Sequence, residues 1–298
     1  TDRQGKVHTG QRVRVDHRGK QPAPATGGVR QRIDSGRASS WTRMTFSSLF
    51  LYSGDGAMTE LCGVFWDVDG TLAETELDGH RPAYNAAFAE LGLPFQWDRS
   101  LYQRLLAVAG GMRRVKVHAE SLGIVLNDDQ LRRVRDRKRV HYIRRVLAGE
   151  VPWRPGVLRL LHQIDRAGIR QWIVTSSGRA SVDALLQAGA DHLPSFEGVI
   201  SADDVSEGKP APDGYQLALS RSGLHASTVL AIEDSAAGLK AATTAGLRCL
   251  LTPSPWDGEL AALKQTAAAV VDHLGDPGHP VTCLLGPPCS ETLSLIHI

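Results

Sequence analysis

Short apolar runs alternate with amphipathic segments through most of the chain. Apolar runs of strand length lie at 64–66, 170–174, 198–201, 228–232 and 248–252. Apolar positions spaced three and four residues apart predict helices at 157–167, 180–188, 213–222, 236–245 and 259–268. Strands that alternate with helices of about ten residues indicate an α/β fold with a doubly wound parallel sheet.

A long helical segment interrupts this alternation after the first strand. Helical spacing covers 80–91, 101–109, 115–122 and 128–147, with glycines between the segments and no alternating strand pattern. We therefore expect a core made of residues 58–76 and 151–275, with a separate helical domain at 77–150. A final short strand and turn is expected at 271–275.

Composition and charge exclude several classes of protein. The chain has 298 residues, of which 42% are hydrophobic and 22% charged, as in globular proteins of one or two domains. A net charge of +2 gives no reason to expect nucleic acid as a partner, and no apolar run approaches the roughly 18 residues of a membrane helix. The four cysteines lack metal-ligand or disulfide spacing. We expect a cytoplasmic monomer without nucleic-acid or membrane partners.

Both ends of the chain differ from the middle. Residues 1–57 are rich in Arg, Gly and Gln without sustained periodicity, so we expect a non-native or disordered leader, with Met58 as the start. A transit peptide is the alternative. Residues 276–298 are expected to be a tail, and the last six can be reverse-translated as CTG TCT CTT ATA CAC ATC, the transposon-end adapter of sequencing libraries. We therefore expect those six residues to be adapter-derived.

The first apolar run ends in two carboxylates. Asp67 and Asp69 follow Trp66 directly, and Gly70 allows the chain to turn away. In open α/β sheets, ligands bind at the carboxyl ends of the strands. Two carboxylates two residues apart on one face repel each other unless a cation or a proton lies between them. This favours a carboxylate nucleophile beside a carboxylate acid/base on Mg²⁺, although an Asp-rich turn is the alternative.

Four segments, in order, resemble the four motifs of the haloacid dehalogenase superfamily of phosphotransferases. They are 67–71 (DVDGT), 172–177 (WIVTSS), 208–213 (GKPAPD) and 229–235 (VLAIEDS). The resemblance implies that the 77–150 insert is a C1 cap, which closes over the active site. Thr175, Ser176 and Lys209 would bind phosphate oxygens, and Mg²⁺ would be held by Asp67, Asp69 and Asp234, with Glu233 in support.

The implied reaction is hydrolysis of a sugar phosphate through an aspartyl-phosphate. Asp67 would attack phosphorus, and Asp69 would protonate the leaving oxygen and then activate water. The metal would contact the Asp67 carboxylate and the Asp69 backbone carbonyl. A β-phosphoglucomutase-like enzyme, a phosphoglycolate-type phosphatase and a catalytically silent binding protein are the alternatives. The intact set of motif residues argues against the last of these.

A narrower resemblance concerns the cap. The sequence DVDGTLAETE at 67–76, together with Trp97-Asp98-Arg99 and Gly110-Gly111, looks like the CbbY-like phosphatases, which dephosphorylate xylulose-1,5-bisphosphate, an inhibitory by-product of Rubisco. It implies substrate contacts for Glu76, His80, Tyr102, Gly111 and Arg114. Met112 stands where that family often has Lys, which leaves one expected positive charge in doubt.

Each of these residues also has a structural interpretation. Glu76 and His80 could be hinge or cap-surface residues, and Tyr102 could pack the cap core. Ser176 and Ser177 could cap the helix that follows them. The basic run at 132–145 is expected to be the solvated face of a cap helix, with attraction of a polyanionic substrate as the functional alternative. Of the adjacent Arg113 and Arg114, only one can face the site.

Overall fold

The computed structural model describes residues 50–52, 58–108, 110–254 and 266–285. Most of the expected leader, the tail beyond 285 and most of the helix expected at 259–268 lie outside these residues. Within the segment assigned to the leader, Phe50–Tyr52 form strand β1, which pairs antiparallel with β2, Met58–Glu60.

A seven-stranded sheet forms the centre of the core, in the order β5-β4-β3-β6-β7-β8-β9. Strands β3 to β8 run parallel to their neighbours, and β9 pairs antiparallel with β8. The strands are β3 (Gly63–Trp66), β4 (Arg170–Val174), β5 (Gly198–Ile200), β6 (Val229–Glu233), β7 (Arg248–Leu251), β8 (Ala269–Val271) and β9 (Cys283–Leu285). The expected parallel sheet is confirmed, but it extends through β9 into the segment assigned to the tail.

Helices cover both faces of the sheet, as in a doubly wound fold. They are α5 (Val157–Arg166), α6 (Arg179–Ala188), α7 (Asp213–Ser222) and α8 (Ala236–Thr244). The buried strand β3 is apolar on both faces because Trp66 packs with α5 and α6 while Phe65 packs with α7 and α8. The long apolar runs of the sequence therefore correspond to strands covered on both sides.

The inserted segment forms a helical cap with its own aromatic core. A π-helical turn at Thr75–His80 leads into α1 (Arg81–Glu90), α2 (Arg99–Leu106), α3 (Gly111–Ser121) and α4 (Asp128–Leu147). Asn127 and Gln130 form a capping box at the start of α4. Tyr84, Phe88 and Trp97 are fully or nearly buried inside the cap. Tyr142 of α4 packs with the core instead, so the cap lies against the sheet domain.

No helix in the described part of the chain is long and apolar enough to span a membrane. Among the described cysteines, Cys62 and Cys249 are free thiols.

Strand order brings the sequence motifs together. Strand β3 lies between β4 and β6, so the residues after these three strands meet at one edge of the sheet. The backbone N–H of Asp67 donates to the carbonyl of Ile232, and that of Thr175 donates to the carbonyl of Ile200. The ladders therefore continue just past the strands and hold Asp67 and Thr175 at the carboxyl edge, where α/β sheets bind ligands.

Candidate active site

A lysine joins two buried carboxylates at this edge. Lys209 Nζ lies 2.6 Å from Asp67 Oδ1 and 2.6 Å from Glu233 Oε1, and it donates to the carbonyl of Val174 at 2.8 Å. The hydroxyl of Tyr215 donates to the same Glu233 oxygen. Three distant segments of the sequence thus fix the position of one ammonium group.

The acids outnumber this lysine. Oxygens of Asp67, Glu233 and Asp234 all lie within 4.8 Å of one another. Glu233 is fully buried, and its Oε2 has no hydrogen-bond partner among the described residues. Buried carboxylates in excess of nearby cations are unfavourable unless a proton or a metal ion compensates them. Their all-oxygen donor set fits a hard cation such as Mg²⁺.

The pKa values follow from the same crowding. Burial raises the pKa of Asp67 to about 7, because the opposing effect of Lys209 is offset by Glu233 and Asp69. Burial, followed by the charges of Asp67 and Glu233, raises the pKa of Asp234 well above its ordinary value. Burial would lower the pKa of Lys209, but its two ion pairs raise it instead. The lysine is therefore a permanent cation facing carboxylates that need a second one.

Asp69 lies in a different environment from Asp67. Ser177 Oγ donates to Asp69 Oδ2 at 2.5 Å, and His80 Nε2 lies 3.3 Å from Asp69 Oδ1. Burial alone would raise the pKa of Asp69, but the contacts with His80 and Ser177 lower it well below its usual range. The two carboxylates of the DxD motif are thus separated in acidity, because Asp67 lies among other acids and Asp69 lies among hydrogen-bond donors.

His80 connects Asp69 to the cap. Its Nδ1 lies 3.0 Å from Nζ of Lys138, a residue of α4. The Lys138 ammonium also lies over the rings of Tyr84 and Tyr142, 5.2 and 5.0 Å from their centroids. Most of the basic run in α4 is exposed, as expected, but Lys138 turns inward. Its charge therefore belongs to the site and not to the solvated face.

The two residues assigned to phosphate after β4 differ in position. Thr175 is buried, and its Oγ1 accepts from the backbone N–H of Ser177 at 3.0 Å. Ser176 is exposed beside the Lys209 loop. The expectation that Ser176 and Ser177 cap the next helix is wrong, because α6 begins after Gly178 without a side-chain cap. Ser235 does cap the helix that follows it, since its side chain accepts from the backbone N–H of Gly238.

The cap contributes a polar chain to the space above the sheet edge. Tyr102 is fully buried, as a core residue would be, yet its hydroxyl donates to Glu76 Oε2 at 2.5 Å. Arg114 Nη1 donates to the same hydroxyl at 3.2 Å, and Arg114 Nε donates to the Leu105 carbonyl at 3.0 Å. Arg113 is exposed, so only Arg114 faces inward. The position of Tyr102 is therefore compatible both with packing in the cap core and with contact to a substrate.

Gly111 meets a neighbouring side chain closely. A Cβ at this position would lie 2.2 Å from the hydroxyl oxygen of Tyr84, so a larger residue would displace Tyr84. Gly111 is half-buried at the start of α3, one turn before Arg114. It therefore borders the polar chain of the cap without providing a side chain.

The sequence assigned no role at the site to three residues that the structure brings there, namely Ser177, Tyr215 and Lys138. Tyr215 lies six positions after Lys209, in the first turn of α7, and its contact with Glu233 arises only in the assembled fold. One feature of the sequence could have indicated a special role for Lys138. It is the single lysine in an arginine-rich run, and lysine and arginine are not interchangeable at buried sites.

Fold and site together define a class of protein. The family model for haloacid dehalogenase-like hydrolases matches residues 63–246, a span that includes all four motifs and the cap. The chain therefore belongs to the haloacid dehalogenase-like hydrolases.

Similar proteins within this family indicate which branch the chain resembles. The chain is 42% identical over 228 residues to the plasmid-encoded protein CbbY of Cupriavidus necator, covering 73% of this chain and 87% of that protein. Its structure resembles that of CbbY from Rhodobacter sphaeroides in complex with phosphate, with a TM-score of 0.61 and 34% identity over 72% of this chain and 94% of that one. A mutant of the same CbbY in complex with xylulose-1,5-bisphosphate matches equally well. The chain is a phosphatase of the sugar-phosphate type.

Proposed function

We propose that this enzyme is a Mg²⁺-dependent phosphatase that hydrolyses xylulose-1,5-bisphosphate through an aspartyl-phosphate. The observation that carries the proposal is the arrangement of Asp67 and Asp69 on one sheet edge. Asp67 is bound by Lys209, whereas Asp69 is bound by Ser177 and His80. One carboxylate is thus placed beside a cation suited to a phosphoryl group, and its neighbour is placed among proton donors.

In the proposed reaction, Asp67 attacks phosphorus, and the bond to the sugar oxygen breaks as Asp69 supplies a proton to that oxygen. Asp69, now ionised, takes a proton from water as the water attacks phosphorus and releases Asp67. The contacts with Ser177 and His80 favour the ionised form of Asp69, which this second step requires. Lys209 stabilises negative charge on the transferring group, since phosphoryl transfer depends mainly on positioning and electrostatics.

Asp67 and Asp234, with Glu233 and the Asp69 carbonyl, would hold the metal ion. When bound, Mg²⁺ would neutralise charge on the acids and the phosphoryl group. The acids are already gathered, as the 4.8 Å spacing of their oxygens shows, and Lys209 compensates only part of their charge.

The choice of a bisphosphate is supported by the cap. A second phosphate requires its own cations, because an unpaired dianion in a closed site is costly. Arg114 and Lys138 both point inward from the cap, while Arg113 is exposed. The similarity to a CbbY whose mutant was solved with xylulose-1,5-bisphosphate supports the same substrate for this chain. Lys138 also supplies a positive charge to the cap, in which Met112 occupies the position where CbbY-like phosphatases often have Lys.

The test is a phosphate-release assay on a substrate panel with Mg²⁺ or with EDTA. We expect xylulose-1,5-bisphosphate to be preferred over glucose phosphates and phosphoglycolate, and EDTA to abolish release until Mg²⁺ is restored. An isomerised sugar phosphate without free phosphate would instead indicate a mutase. A clear preference for phosphoglycolate would overturn the substrate assignment while leaving the phosphatase chemistry in place.

A further inference from the structure

Arg154 is a buried charge of the core that binds several parts of the backbone. Its side chain is only 5% exposed. Nη1 and Nη2 donate to four backbone carbonyls, and Nε lies 3.1 Å from a carboxylate oxygen of Glu74. The four carbonyls belong to Gly70, Thr252, Pro253 and Asp272. The two terminal nitrogens of the guanidinium therefore bind four carbonyls from separate parts of the chain, whereas Nε forms an ion pair with Glu74 without a hydrogen bond.

These acceptors surround the phosphoryl-transfer site without belonging to its reacting groups. Gly70 forms the turn directly after Asp69, with φ of 81°. A Cβ on Gly70 would lie 2.1 Å from Asp234 Oδ2, so this turn lies directly against the Asp234 carboxylate. Thr252 follows β7, and its N–H donates to the Glu233 carbonyl at 2.7 Å. Arg154 thus binds the backbone behind both acids of the fourth motif.

Glu74 extends the same network to the cap. The two linkers between core and cap run side by side, with Glu74 N donating to Pro152 O and Arg154 N donating to Leu72 O, each at 2.9 Å. Burial raises the pKa of Glu74 against the effect of Arg154, and burial lowers the pKa of Arg154 against that of Glu74. The pair therefore bears a desolvation cost that its mutual attraction offsets only in part.

Arg159 provides a comparison from the same region. It lies in α5, is also largely buried, and donates to the carbonyls of Gly275 and Leu274 at 2.9 and 2.6 Å. None of its contacts reaches the Gly70 turn, Asp234 or the cap linker. Both arginines are largely buried and bind backbone carbonyls, but only Arg154 contacts the Gly70 turn and the cap linker.

We infer that Arg154 is a positioning residue for phosphoryl transfer, which holds the Gly70 turn against Asp234 and ties the cap linker to the sheet edge through Glu74. This inference rests on the proposed phosphatase function. A lysine at this position keeps the charge but cannot direct a planar fork at four separate carbonyls. The Gly70 turn would then be free to shift relative to Asp234, and both metal binding and turnover would weaken.

The test compares Arg154→Lys with Arg159→Lys in the full chain. Each variant is titrated with Mg²⁺ alone while the Tm is recorded, and kcat and KM are measured by phosphate release. We expect Arg154→Lys to raise the Mg²⁺ concentration at half-effect and to lower kcat, each by about 10- to 100-fold, as for residues that orient metal ligands. KM should change little. Arg159→Lys should lower the Tm without either effect.

Equal behaviour of the two variants would assign Arg154 a purely structural role and overturn the inference. If Arg154→Lys does not fold, Glu74→Gln takes its place, since it removes the carboxylate and keeps the four carbonyl contacts. It should raise the Mg²⁺ requirement in the same direction, and an unchanged requirement would count against the inference. If the wild type releases no phosphate but the Mg²⁺ titrations still differ, the proposed function fails and the positioning of Asp234 stands.

Discussion

His80 Nε2 lies 3.3 Å from Asp69 Oδ1, a contact that joins the loop after β3 to the start of the cap helices. The other ring nitrogen of His80 lies 3.0 Å from the Lys138 ammonium, which has only protons to offer. Nδ1 must therefore accept, and Nε2 carries the proton toward Asp69. The closed cap thus fixes the tautomer of the histidine that faces the proposed acid/base.

Replacing Lys138 tests this relationship. In Lys138→Met, His80 loses the donor that fixes its tautomer, so Asp69 should be oriented less well. We expect kcat to fall by about 10- to 100-fold, less than the loss of an acid/base itself. Steady-state phosphate release is the measurement, and Arg139→Met is the matched control, because Arg139 is adjacent and exposed. Equal kcat values for both variants would remove Lys138 from the mechanism.

The pH dependence of stability should also report on Lys138. Burial lowers the pKa of Lys138 from 10.5 to about 8, against the attraction of Asp69 and Glu76 and with help from Arg114 and Arg139. Below pH 8 the lysine is charged in both states, and its burial destabilises the fold. Between pH 8 and 10.5 the folded state loses its proton first, so the unfolded state binds more protons and stability rises with pH.

The difference in unfolding free energy between wild type and Lys138→Met should therefore shift in favour of the wild type from pH 7 to pH 10. Its upper bound is about 3 kcal/mol, since each pKa unit corresponds to roughly 1.4 kcal/mol and partial exposure reduces the effect. Urea unfolding of both proteins at the two pH values measures it, and other titrating groups cancel in the comparison. If the difference in unfolding free energy stays constant or moves the opposite way, burial does not lower the pKa of Lys138.

Asp67→Asn should abolish phosphate release. The amide keeps the shape of the side chain but is a far poorer nucleophile and metal ligand, so we expect a loss of about 10⁴-fold or more. Asp165→Asn, on the exposed face of α5, is the control and should retain full activity. The Tm of both variants shows that they are folded. Near-wild-type release by Asp67→Asn would disprove the nucleophile assignment.

Substrate choice should depend on Arg114. Arg114→Ala is expected to raise KM for xylulose-1,5-bisphosphate by about 10- to 100-fold, the loss of a charged hydrogen bond, with a much smaller effect on a monophosphate. Arg113→Ala is the natural control because Arg113 is exposed on the same helix. Arg114 also binds Tyr102 and Leu105, so the Tm is recorded in parallel. Equal effects on both substrates would exclude a role in binding the distal phosphate.

Several parts of this protein were determined by local sequence. The apolar run before Asp67 predicts β3, and the spacing of residues 128–147 predicts the bounds of α4. Both predictions succeed because burial and the helical period determine which nearby positions are apolar. The order of the four motifs likewise predicts which residues meet at the sheet edge. Parallel strands in one sheet allow few arrangements of their carboxyl ends, so Asp67, Thr175, Lys209 and Asp234 were predictable as a group.

Only the tertiary structure decided which side chains complete the site. Ser177 and not Ser176 contacts Asp69, and Lys138 contacts His80 from a basic run whose other members are mostly exposed. Arg154 reaches carbonyls up to 118 positions away. Loop and linker side chains take directions set by packing between distant segments, and no local period records that packing. The sequence by itself therefore determines the strands, the helices and the reacting carboxylates, whereas the residues that orient them depend on the assembled fold.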